Sequence, residues 1–148
     1  MIRRLTTLSI ALLFTAGGVI GCQTGSSRVY RPQSKTTARA AMAGSIEYPT
    51  TKPAVDVENL TSTVNRRNGQ ITIRNFSNNT IIEPRVWINQ IFVLRVRSIG
   101  PQDSIILNKA DFFDSIGRSL RDQPANSIKQ IQLQTDQNLI NVQGPLLE

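Results

Sequence analysis

Arg85-Val86-Trp87-Ile88-Asn89-Gln90-Ile91-Phe92-Val93-Leu94-Arg95-Val96-Arg97 reads as two β-strands folded back on each other. The runs Arg85 to Asn89 and Ile91 to Arg97 meet at Asn89-Gln90, where asparagine tolerates the positive φ of a tight hairpin. Side chains alternate across a strand, so Phe92, Leu94 and Val96 share one face and Arg95 and Arg97 the other. In the first run Val86 and Ile88 lie opposite Trp87, which predicts that both faces of that strand are covered.

The pattern extends in both directions. Upstream, Val55 to Val64 shows mixed alternation, and Gln70-Ile71-Thr72-Ile73-Arg74 alternates polar and branched residues. Downstream, the turn Gly100-Pro101-Gln102-Asp103 leads into Ser104 to Leu107. Ile128 to Leu133 places Ile131 and Leu133 inward and Gln130, Gln132 and Gln134 outward, and Leu139 to Val142 follows. About seven short strands at roughly ten-residue spacing predict an antiparallel sandwich. A short helical turn competes over Asp111 to Leu120.

Four stretches carry a resemblance: Ile71-Thr72-Ile73-Arg74-Asn75-Phe76-Ser77, Val86-Trp87-Ile88-Asn89, Gly100-Pro101 before a strand, and Phe112-Phe113-Asp114 with Gly117. They resemble a recurring bacterial β-sandwich of immunoglobulin or fibronectin-III type. The expected fold is therefore all-β, an antiparallel immunoglobulin-like β-sandwich of about seven strands. Such a fold implies no particular activity.

The N-terminal third is of another kind. Arg3 and Arg4 form a basic head, Leu5 to Ile20 an apolar stretch, and Val19-Ile20-Gly21-Cys22 ends it with a small residue before the only cysteine. This resembles the bacterial lipoprotein signal. The resemblance implies cleavage before Cys22, a diacylglyceryl group on its thiol and acylation of the new amine. Gln23, in place of a retaining aspartate, would by the same resemblance let the protein move to the outer membrane of a diderm host. Leu5-Thr6-Thr7 lacks the twin-arginine context, so general secretory export is expected. The whole also resembles small envelope lipoproteins built as a lipobox, a linker and one sandwich domain.

From Gln23 to Pro53 the chain is rich in Ser, Thr, Ala, Gly, Arg and Pro. It reads as a flexible tether averaging roughly 30 Å end to end. Ala38 to Ala43 could form a helical turn, but short isolated helices are marginal in water. The expected organisation is a signal peptide over 1–21, a lipidated basic tether over 22–53 and a β-sandwich over 54–148. No apolar run of about 18 residues follows the signal, so no second membrane crossing is expected.

The formal charge of +7 is unevenly placed. Arg3 and Arg4 belong to the leader, and residues 23–53 carry Arg28, Arg31, Lys35, Arg39 and Lys52 against Glu47 alone. Residues 54–148 carry ten basic and nine acidic side chains. Nucleic-acid modules concentrate positive charge on the fold, so no nucleic-acid partner is expected. The basic segment beside the anchor reads as contact with anionic lipid or wall polymer, or equally as a solvated linker.

Histidine is absent and cysteine occurs once. That removes an internal disulfide, Cys- or His-based zinc sites and Ser-His-Asp or Cys-His nucleophilic sites. No cofactor is expected. Trp87 reads as a core residue of the sandwich, with ligand stacking as the sharper reading. Asp111 and Asp114 flank Phe112-Phe113, and paired carboxylates can do acid–base work or hold a cation. The calcium-loop pattern is missing, so turn capping is favoured, with the two phenylalanines anchoring the loop. Asn59-Leu60-Thr61, Asn75-Phe76-Ser77 and Asn78-Asn79-Thr80 match a glycan acceptor pattern and read as strand-end and turn chemistry.

The expected function is thus that of a non-enzymatic envelope lipoprotein. Membrane lipid would hold Cys22, and the domain would serve as a protein-interaction or structural module facing the periplasm. The alternative is a lipoprotein that captures a sugar or wall fragment with loops near Trp87 and Asp111. Converging polar side chains in a cleft would favour a ligand; a long bare edge strand would favour a protein partner.

Overall fold

The computed structural model describes residues 27–31 and 36–147. Cys22 and the leader lie outside the described residues. The fold is mostly β, as its alternating pattern requires: strands β1 (Ser27–Val29), β2 (Ala54–Val64), β3 (Gln70–Asn75), β4 (Ile81–Ile82), β5 (Arg85–Ile88), β6 (Phe92–Arg95), β7 (Ser98–Ile99), β8 (Ser104–Asn108), β9 (Ile131–Gln134) and β10 (Leu139–Leu147). Among the described residues one α-helix, α1 (Thr36–Gly44), lies between β1 and β2.

Eight strands form one curled sheet in the order β1-β8-β3-β2-β10-β9-β5-β6; β4 and β7 pair separately. All seven strands expected from the sequence are in the large sheet. Two pairings, β1 with β8 and β2 with β10, are parallel, so the sheet is mixed rather than wholly antiparallel. Alternation specifies which face a residue takes but not which strand lies beside it.

The β5–β6 hairpin forms as its sequence predicts. Asn89 and Gln90 sit at φ 51° and 63°, and the Ile91 N–H donates to the Ile88 carbonyl at 3.0 Å. Asn89 is further fixed by its side chain, which donates to the Ser127 carbonyl and accepts from the Lys129 and Gln130 N–H groups. Val86 pairs with both Leu94 and Leu133, and Ile88 with Phe92 and Ile131. These residues join Ile71, Ile73, Leu107, Phe112 and Leu120 in one core inside the curl.

The opposite face of β5 and β6 is buried too, by a segment the sequence assigned to the flexible tether. Ala43 of α1, with Ala40, Ile46 and Tyr48, packs on Trp87, Val93, Phe113 and Leu139. The Tyr48 hydroxyl donates to Gln132 at 2.7 Å, and Gln132 is only 1% exposed although alternation placed it outward. The Arg39 guanidinium meets Asp111 at 3.0 Å. Residues 36–53 therefore belong to the domain, which corrects the tether expected there. Small alanines let α1 lie close to the loop that carries Gly117, whose φ of 82° suits glycine. An Ala-rich helix of nine residues is marginal alone, and burial of its apolar face against Trp87 stabilises it here.

Residues 27–31 are also docked rather than loose. Ser27, Arg28 and Val29 pair in parallel with Ser104, Ile105 and Ile106, and the Arg28 guanidinium donates to Asp103 at 2.8 Å.

Candidate functional site

The residues singled out in the sequence do not converge. Trp87 is 2% exposed, stands edge-on to Tyr48 with ring centroids 5.3 Å apart, and donates its indole N–H to Gln134 at 2.8 Å. It is a core residue of the outer layer and is closed to a stacking ligand. Asp111 is engaged by Arg39. Burial raises its carboxyl above the usual carboxylate range, and the nearby Arg39 charge offsets part of that.

Asp114 organises its own loop. One carboxylate oxygen accepts from the Ile116 and Arg118 N–H groups, and the other from the Arg118 Nε at 2.6 Å. Burial pushes this carboxyl up, but the Arg118 and Ile116 hydrogen bonds more than offset it, so it sits below the usual range. A depressed carboxyl adds stability above its unfolded value, near 3.9, that is lost as pH falls through the folded value. Asp114→Asn is therefore expected to be less stable than wild type near neutral pH. The gap should close below about pH 4, measured as melting temperature against pH. A constant gap would remove the loop role.

A cleft that sequence reasoning missed holds the convergent polar chemistry. The curl of the sheet brings its two edges, β1 and β6, towards each other without pairing them. Tyr30, just after β1, spans the gap, donating its hydroxyl to the Arg95 carbonyl at 2.9 Å. Around it opens a cleft of about 720 Å³ whose ionisable lining is Arg28, Arg31, Arg95, Arg97, Tyr30, Glu83 and Asp103. Arg95 pairs with Glu83, whose backbone is held at φ 45°, and Arg28 pairs with Asp103. Four guanidiniums against two carboxylates leave the cleft positive. Burial and the charge of Asp111 raise the Tyr30 phenol, with Arg39, Arg97 and Arg95 opposing, so it stays a protonated donor.

Such a set recognises anions. Guanidiniums offer paired donors to carboxylate or phosphate, and both carboxylates in the cleft are already committed to arginines. The sequence signal was present but divided: Arg95 and Arg97 read as the outer face of one strand, and Arg28-Val29-Tyr30-Arg31 as tether. Only the curl joins them. No family model, curated protein or solved structure matches this chain.

Proposed function

We propose that this chain is a non-enzymatic lipoprotein of the bacterial envelope, anchored through acylated Cys22, whose folded part is an interaction module facing the periplasm at the outer membrane. The observation that carries the binding role is the arginine-lined cleft between the two sheet edges. The lipobox-like Val19-Ile20-Gly21-Cys22 carries the anchor. Strand addition is disfavoured as the binding mode, because the edge strands β1 and β6 have only three and four residues, and short edges are poor templates.

The finer architectural reading is an immunoglobulin-like sandwich. It is supported by β3 and β8 on one side and β5, β6 and β9 on the other, all contributing inward residues to one core. The two parallel pairings depart from that pattern.

A second reading, capture of an acidic wall fragment, is favoured by the cleft's size, which lies within the roughly 300–1,000 Å³ of small-ligand sites. It would use the arginines rather than Trp87. The anchor is tested by mass spectrometry of protein purified from a bacterial host's membranes. The expected N-terminus is Cys22 carrying acyl chains, with residues 1–21 gone. An unmodified Cys22 or a retained leader would refute the lipoprotein assignment.

A further inference from the structure

We infer that the arginine cleft and the loops beside it form a membrane-facing surface that binds anionic lipid headgroups in the leaflet holding Cys22. This rests on the anchoring proposed above. The short chain between Cys22 and β1 holds this end of the domain near the membrane. β1 runs parallel to β8, so Ser27 lies at the Ser104 end of the sheet, and Cys22 is five residues before it. Whatever path those residues take, the acylated cysteine lies within about 17 Å of Ser27. A flexible tether to Pro53 would instead let the domain drift roughly 30 Å away. Headgroup fields decay over about 8 Å at physiological salt, so only the docked arrangement lets surface charge act on the fold.

This end of the domain also displays positive charge and apolar surface side by side. Arg28, Arg95 and Arg97 line the cleft, and Arg74 ends β3 where it pairs with Ser104. Beside them two apolar side chains face solvent: Phe76, 44% exposed with the Arg74 guanidinium 5.5 Å from its ring, and Ile82, 71% exposed. Asn75 is fully buried and donates to the Asn79 and Gly100 carbonyls, so the loops that carry these groups are stitched together. Exposed apolar residues among arginines suit the boundary between headgroups and acyl chains. A second basic patch among the described residues, with Arg66, Arg67 and Arg121, lies at the opposite end, where Gln70 pairs with Asn108.

The test uses the mature chain from residue 22 with Cys22→Ser, so that no acyl chain contributes and the result is independent of anchoring. Co-sedimentation is measured with vesicles of phosphatidylcholine alone and with phosphatidylglycerol included. Binding should require the anionic lipid. Arg31→Gln/Arg97→Gln should weaken it by about 30-fold, and the exposed Arg31→Gln alone by about fivefold. Arg66→Gln/Arg67→Gln, which removes the same charge from the far end, should change it less than twofold. Arg31→Lys/Arg97→Lys should keep binding within a few-fold, because a charged surface needs charge rather than a bidentate fit.

Equal losses in the two glutamine pairs would reduce the effect to net charge and overturn the inference. Equal binding to neutral vesicles would do the same. Binding of inorganic phosphate or acidic wall fragments without vesicle binding would assign the cleft to a soluble anion instead. Should the Arg97 variant fail to fold, the single Arg31→Gln measurement decides.

Discussion

Phe112→Ala is expected to lower the unfolding free energy by about 3–5 kcal/mol, the largest single loss foreseen for this domain. The ring is fully buried in the core inside the curl, on the connection between β8 and β9. Its backbone is pinned as well: the N–H donates to the Lys109 carbonyl and the carbonyl accepts from the Leu120 N–H. Phe113 faces the other way, bridging to Val93 and packing on Trp87 and Ala43. The dipeptide thus places one ring in each layer. Domains of this size keep about 5–15 kcal/mol in hand, so the loss should show as a large drop in the urea midpoint. A loss under about 1 kcal/mol would mean the ring is outside the core.

Asp111→Asn is expected to be the second most damaging change. Removing one partner of a buried ion pair costs about 3–5 kcal/mol when both groups are fully desolvated. Arg39 and Asp111 retain 11% and 14% side-chain exposure, and burial outweighs Arg39 at the Asp111 carboxyl, so the cost is mainly that of leaving Arg39 without its carboxylate, about 1 kcal/mol. The distinguishing readout is local. Trypsin should spare Arg39 in the wild type, because α1 is docked, and cut there readily in Asp111→Asn. Rapid wild-type cleavage at Arg39 would return residues 36–53 to the status of a tether. From the sequence alone the same substitution would be nearly neutral, since an asparagine caps a turn almost as well as an aspartate.

That contrast marks where the sequence is legible. Period-two alternation, together with the turn residues between the runs, exposed all seven longer strands. Val86 and Ile88 against Trp87 announced two covered faces, because each face of a strand records its own environment. β4 and β7, at two residues each, are too short to show any period. The helix was underestimated because Thr36–Gly44 holds few large apolar residues, and its stability comes from Trp87 and Phe113, far along the chain. The cleft was invisible for a related reason. Arg28 and Arg97 line one cleft only because the sheet curls until its edges face each other, and curl is a property of the assembled strands.

The position of β10 bears on how such a sheet is completed. β10 lies between β2 and β9, parallel to one and antiparallel to the other. Of the described strands it is the last to be made, yet it joins the two halves of the sheet. A chain delivered N-terminus first, from a ribosome or through a translocation pore, can form β2–β3–β8 and β5–β6–β9 early, since their pairings need only residues up to Gln134. Their union waits for residues from Leu139 onward, across a long and entropically slow closure. Until then the edges of β2 and β9 are unpaired, which keeps the chain open to threading and, for the same interval, exposes two strand edges that favour aggregation.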